Sequence, residues 1–259
     1  MPSYRFTAEV VGRAARETLA AGAGEVCAVF RRSFYVRLNE RYACIGDASL
    51  GCGPLNALVS AFDAPPLGAT VLVSLESARS WAPPVTSGNA RPHLEALRAC
   101  LDGHVPEEGL GCVILGVDNA LSVHAQPALE AIERWLAGNA LGQEAAQLIG
   151  LGPGLTPSGD DYLGGVLVAL RWVGRGAQAD SLWRWLEPRL SARTSAISAA
   201  HLAAAASGEM HESLHGVLTD LAAWEAPDLL PSLSRLDALG HTSGWDALAG
   251  IVAVAKTSQ

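Results

Sequence analysis

The segment Gly150-Leu-Gly-Pro-Gly-Leu-Thr-Pro-Ser-Gly-Asp-Asp161 sets the tightest limit on how this chain can fold. Four glycines, two prolines, two hydroxyls and two carboxylates fall in twelve positions, and the apolar run Tyr162 to Leu170 follows at once. The loop cannot become helical before Ser158. Gly152 and Gly154 permit positive φ and close backbone approach, while Pro153 and Pro157 stiffen the chain around them. Ser158 reads as an N-cap, Gly159 and Asp160 as the first turn, and Asp161 as the far end of an S-x-x-D capping box. A loop that ends this way presents backbone N–H groups and the positive end of a helix dipole to an anion, with Thr156 and Ser158 as extra hydroxyl donors. Asp160 and Asp161 would repel a bare phosphate or carboxylate. Their presence points to a ligand that also carries a cation, an amide N–H2 group or an arginine partner.

A second segment repeats the pattern. Ser158-Gly-Asp-Asp161-Tyr-Leu163-Gly-Gly165-Val aligns with Ser243-Gly-Trp-Asp246-Ala-Leu248-Ala-Gly250-Ile, a shared S-G-x-D-x-L-x-G followed by a β-branched residue. The glycine seven positions after each serine shares a helical stripe with the aspartate four residues before it, so a second backbone can pack closely beneath that aspartate. The economical expectation is two helices meeting near their N-termini, with Gly240-His241-Thr242-Ser243 and the first loop lining one pocket. A lone S-x-x-D in the Ser243 segment would otherwise be read as a cap worth about 1 kcal/mol and nothing more.

Around these segments the chain divides by composition. From Glu25 to about Val73, EVCAVF, SFYVRL and YACIGD read as short strands cut by Arg31-Arg32-Ser33 and Asn39-Glu40-Arg41. Thr70 to Ser74 adds an apolar strand, and Gly111 to Val117 reads as another buried one. After Pro127 the chain is Ala/Leu-rich with helical spacing: Leu129, Ile132, Trp135 and Leu136 share a face, as do Leu182, Trp185, Leu186 and Leu190, with Pro188 expected to kink or end that run. Further helices fit Ser158 to Trp172, Thr194 to Ala206, Met210 to Trp224, Pro231 to Leu239 and Ser243 to Ala255. The fold class is therefore α+β, with a strand-rich N-terminal half (residues 1–126) followed by an α-helical C-terminal bundle (residues 127–259).

Charge narrows the chemistry. Lys256 is the one lysine in 259 residues, which removes P-loop and Schiff-base mechanisms, and 18 basic against 26 acidic residues with no basic run argue against nucleic acid. The five cysteines form no C-x-x-C pair, so neither a disulfide framework nor a thiolate zinc cage is indicated. The N-terminus lacks the apolar core of a signal peptide, and the longest apolar run, Leu163 to Leu170, is far short of the ~20 residues that cross a bilayer. A cytoplasmic, non-membrane protein is expected. A charged fraction of 17% is low enough that part of the surface should be covered, by other subunits or by a homo-oligomeric partner.

The blocks GLGPGLTPSGDD, Arg193-Thr194-Ser-Ala-Ile-Ser198 and Gly240-His-Thr-Ser-Gly-Trp-Asp246, in this order and spacing, resemble the signature of the AllH-like bacterial family. That family was long of unknown function and includes the small subunit of the oxamate carbamoyltransferase of anaerobic allantoin degradation. The resemblance spans roughly residues 150 to 256. It implies a subunit working with others to exchange a carbamoyl group between oxalurate and phosphate, giving oxamate and carbamoyl phosphate. Such ligands combine anionic oxygens with amide N–H2 groups. Under that reading Asp160, Asp161 and His241 are the candidate catalytic residues. Gly152, Gly154, Thr156, Ser158, Gly159, Arg193, Thr194, Ser198, Thr242, Ser243 and Asp246 are the candidate substrate-binding residues, with Arg193 as an anion clamp. Thr194 and Ser198, four apart, should face the same way. No cofactor is firmly implied, and magnesium would fall on Asp160 and Asp161. Two other readings stand beside this one. A subunit that binds the ligand or supports assembly could leave the chemistry to its partners. His211-Glu212-Ser-Leu-His215 is also a formal H-E-x-x-H of the zinc hydrolases, with no third ligand at a familiar interval and only Glu225 or His241 as guesses.

Overall fold

A computed structural model describes residues 3–84, 94–101, 105–223, 228–237 and 239–257. The chain forms two compact units: Met1–Pro84 with Glu209–Glu212, and Val85–Gly208 with Ser213–Gln259.

The first unit holds β1 (Ser3–Gly12), α1 (Arg13–Leu19), β2 (Gly24–Val29), β3 (Ser33–Leu38), β4 (Arg41–Gly46), β5 (Asn56–Val59), β6 (Thr70–Ser74) and β7 (Arg79–Trp81). The three strands read between residues 25 and 47 form the meander β2–β3–β4. Its second turn is a tight one, with Asn39 and Glu40 at φ 49° and 60°, the twist a two-residue hairpin needs. The sheet runs β5-β4-β3-β2-β6-β1-β7, and β1 also pairs with β5, so six strands close into a barrel and β7 is added outside the ring. Closure rests on β1. Its residues 3–7 pair parallel with β6, a register irregularity follows between Ala8 and Val10, and the strand then pairs with β5. Val26, Phe34, Val36, Ile45, Val71 and Val73 fill the interior, with Phe6 against Phe34. The segment Glu209–Glu212 completes this unit: Glu209 accepts from Arg13 at 2.8 Å, and Glu212 exchanges backbone and side-chain hydrogen bonds with Cys52.

The second unit is helical: α2 (Leu94–Cys100), α3 (Ala120–Leu136), α4 (Ser158–Trp172), α5 (Gly176–Leu190), α6 (Ala196–Ala206), α7 (Glu212–Leu221, of which Glu212 belongs to the first unit), α8 (Leu230–Asp237) and α9 (Ser243–Lys256). Three sequence expectations need correction. Gly111 to Val117 is not a strand: Gly111–Ile114 is a single 3-10 turn, because Gly111 has no room for a side chain beside Trp245 and the apolar run folds over α9. Helix α3 starts at Ala120 and carries Pro127 within it, tolerated because Val123, whose carbonyl loses its partner, lies on the exposed side. Pro188 likewise sits on an exposed face, and α5 runs two residues beyond it.

Helices α4 and α9 are buried on nearly every side, as expected of a central pair. They pack through their shared glycines. A Cβ on Gly165 would lie 1.9 Å from the Ala247 carbonyl oxygen, and one on Gly250 would lie 2.0 Å from that of Tyr162. The contact is reciprocal, since Tyr162 follows Asp161 just as Ala247 follows Asp246. Gly165→Ala should therefore destabilise the protein by about 1–3 kcal/mol, because backbone must move. Gly216→Ala, in α7 with nothing nearer than 3.6 Å, should stabilise it by about 0.4–1 kcal/mol. Urea unfolding of the two variants checks this; equal signs would contradict the packing.

Candidate functional site

The loop before α4 caps the helix with its own backbone. Pro157, not Ser158, is the N-cap, and no side chain caps; similarly Thr242 rather than Ser243 precedes α9. The Gly159 N–H donates to the Leu151 carbonyl at 2.9 Å, and those of Asp160 and Asp161 both donate to the Pro157 carbonyl. Gly152 at φ 109° and Gly150 at φ 74° turn the chain to allow this, and Gly159 is obligatory because a Cβ there would lie 2.0 Å from the Leu148 carbonyl. Gly154, at φ 93°, is exposed on the loop. The capping-box expectation fails for a physical reason: the loop already satisfies the first-turn amides, so the serine hydroxyls are released for other work.

Asp160 is the bracket of the site. Only 2% exposed, it accepts from the Gly150 N–H at 2.9 Å through Oδ1, and from the Thr194 hydroxyl and the Ser198 hydroxyl, at 2.6 Å, through Oδ2. Thr194 and Ser198 thus do face the same way. Ser195, the N-cap of α6, accepts from the Ser198 N–H and donates to the Leu155 carbonyl at 2.8 Å, tying the same loop down. Asp160 thus takes three donors from within the protein.

Asp161 and Asp246 are the equivalent aspartates of the two S-G-x-D starts, and each meets the other's serine. The Ser243 hydroxyl acts on Asp161, and the Ser158 hydroxyl acts on Asp246; Thr156 Oγ1 lies 3.2 Å from Ser243 Oγ and also acts on Asp161. Asp246 is fully buried. Both Oδ2 atoms are shut off from solvent and without a hydrogen bond. Burial drives the Asp161 carboxyl well above the usual range; Ser243 opposes this, and the charges of Asp246 and Asp160 add to it. Burial likewise raises Asp246, against the Leu110 N–H and the Thr242 and Ser158 hydroxyls. Thr156, Thr242, Ser243 and Asp161 are only part-buried and form the rim.

One contributor had no place in the sequence reading. The Leu110 N–H donates to Asp246 Oδ1, and Gly109, at φ 77°, approaches so closely that its Cβ would lie 2.5 Å from that oxygen. The signal available was a second Gly-Leu-Gly, residues 109–111, matching residues 150–152.

Other sequence candidates lie apart from the pair. His241 is 80% exposed and its Nε2 lies 3.0 Å from Glu108 Oε2. Arg193 is exposed, donates to the Ala146 carbonyl at 3.2 Å, and packs its own carbonyl against Gly150. The H-E-x-x-H is not borne on one helix: α7 begins at Glu212, His211 Nε2 is 2.9 Å from the Leu50 carbonyl oxygen, and Glu212 receives the Cys52 N–H. His215 is buried, not on the helix surface. Glu225 lies outside the described residues, among which no group of three metal-ligating side chains forms.

The family model described as oxamate carbamoyltransferase subunit AllH matches residues 148–255, the region that holds all three blocks and both aspartates. No solved structure matches the chain. Among the described residues no helix is long and apolar enough to cross a membrane.

Because folding raises the Asp161 carboxyl, its ionisation opposes the fold: the cost is absent below the ordinary value of 3.8 and grows as pH rises toward the folded-state value. Asp161→Asn removes that cost. The difference in Tm between variant and wild type should move in the variant's favour from about pH 4 upward, read by circular dichroism. A difference independent of pH would show that the carboxyl titrates as if in water.

Proposed function

We propose that this chain, with residues 148–255 matching the AllH subunit of oxamate carbamoyltransferase, takes part in carbamoyl transfer on small ureido or carboxamide acids in the cytoplasm, with other subunits. One observation carries this reading: the Asp161 carboxyl and the hydroxyls of Thr156, Thr242 and Ser243 form one part-buried rim at the meeting of two helix starts. Desolvation raises the Asp161 carboxyl, which favours its service as a general acid, and hydroxyls at helix N-termini suit a developing oxyanion.

Written for oxalurate, an oxygen of hydrogen phosphate attacks the ureido carbon and forms the new C–O bond. The C–N bond to the oxamate nitrogen breaks. Asp161 gives its proton to that nitrogen and regains one from the phosphate, so charge and protons balance. Thr156 and Ser243 donate to the carbonyl oxygen as its carbon becomes tetrahedral and the oxygen gains negative charge. Asp160 keeps the loop and α6 in register, and Asp246 sets Ser158 and the second helix start. His241 and Arg193, both exposed, are suited to approaching substrate or a partner subunit rather than to the buried step. Raising the Asp161 carboxyl also lessens the repulsion that two aspartates would offer an anion.

Carbamoyl phosphate formation from oxalurate and phosphate, measured with the chain alone and with its partner subunits, tests the proposal. Asp161→Asn should lower kcat by about 100-fold or more while oxalurate still binds in calorimetry. Loss of binding with an unchanged rate in the assembled complex would favour a ligand-binding or assembly subunit instead.

A further inference from the structure

The loop that brings Leu110 to Asp246 lies outside the family-matched region, and so does what holds it. Asn119 caps α3: its Oδ1 accepts from the Ser122 N–H at 2.8 Å, and Ser122 Oγ accepts from the Asn119 N–H at 2.8 Å. That box needs only the side-chain oxygen. The Nδ2 group does something else, donating to the Gly109 carbonyl at 2.8 Å and to the Glu107 carbonyl at 2.9 Å. The Gly109 carbonyl belongs to the very peptide unit whose N–H, that of Leu110, reaches Asp246. Fixing the oxygen of a planar peptide fixes its N–H. The neighbouring Cys112 Sγ also donates to the Gly109 carbonyl, at 3.8 Å. The approach leaves no slack, since Gly109 stands at positive φ with no space for a Cβ against Asp246 and Thr242.

We propose that Asn119 is a positioning residue for the aspartate site: by gripping the Glu107 and Gly109 carbonyls it aims the Leu110 N–H at Asp246. The catalytic part of this rests on the proposed function; the structural part does not. Asn119 touches no reacting atom and acts through one peptide unit, on a carboxylate whose second oxygen has no other donor.

Asn119→Asp separates the two jobs of the side chain. An aspartate caps a helix as well as an asparagine does, so α3 keeps its start, but it has no N–H2 to hold the carbonyls. Two readouts are needed on the full chain. Hydrogen exchange at the Leu110 amide should quicken by about tenfold or more in Asn119→Asp, because a carboxylate oxygen would face the Glu107 and Gly109 carbonyls in place of the N–H2, while the α3 amides stay near wild type. With the partner subunits present, kcat for carbamoyl phosphate formation should fall by a similar factor with KM little changed. Asn119→Ala should do both and lower Tm as well. Unchanged Leu110 exchange in Asn119→Asp overturns the proposal, as does wild-type kcat in an assembly that turns over. If the wild-type assembly transfers no carbamoyl group, the proposed reaction fails, and the exchange at Leu110 still decides whether Asn119 aims this amide.

Discussion

Two backbone carbonyls, those of Tyr162 and Ala247, occupy the notches left by Gly250 and Gly165, and most of the helical unit is organised around that exchange. Helices usually approach to 8–10 Å because side chains intervene. Here glycine on each side removes the intervening atoms about two turns from the helix starts. The two N-termini must then lie side by side, and Asp161 and Asp246 enter the interior with them. The energetic cost is the desolvation of two carboxyls, which shows in their raised pKa values. The apolar flanks of α4 and α9, buried almost throughout, offset it.

Adjacent aspartates acquire opposite characters from this arrangement. Asp160 looks away from the helix pair toward α6 and is saturated by a backbone N–H and two hydroxyls. Asp161, one residue on, is rotated by a helical step into the pair and meets hydroxyls at the rim, with one oxygen lacking a donor. The same residue type is a structural clamp at one position and a candidate proton carrier at the next. The difference is supplied by surroundings rather than by sequence distance.

Much of this was legible from residues alone. The aligned serines, aspartates and glycines of the two S-G-x-D segments implied helix starts in contact, because a glycine on the aspartate's stripe has little purpose without a backbone against it. The bounds of α4 followed from Pro157 and the apolar run after it. What escaped notice did so for identifiable reasons. Strand β1 alternates Tyr4, Phe6 and Ala8 inward with Arg5, Thr7 and Glu9 outward, but the charges on its outer face masked the period. The run from Gly111 has strand composition and lacks a ladder partner; contact with Trp245 decided its shape. The expected capping box does not form because a distant carbonyl, that of Leu151, satisfies an amide as well as a nearby hydroxyl can. Leu110 acts through its backbone, so only the glycines flanking it, Gly109 and Gly111, mark it in the sequence.

The four residues Glu209–Glu212 carry a wider implication. They lie between α6 and the body of α7, yet they belong to the first unit and bind it through Arg13 and Cys52. The polypeptide therefore leaves the helical unit, contributes four residues to the other and goes back, so no single scission anywhere along it can release both units intact. A fragment ending at Pro84 would keep every strand but lack the partners of Arg13 and Cys52.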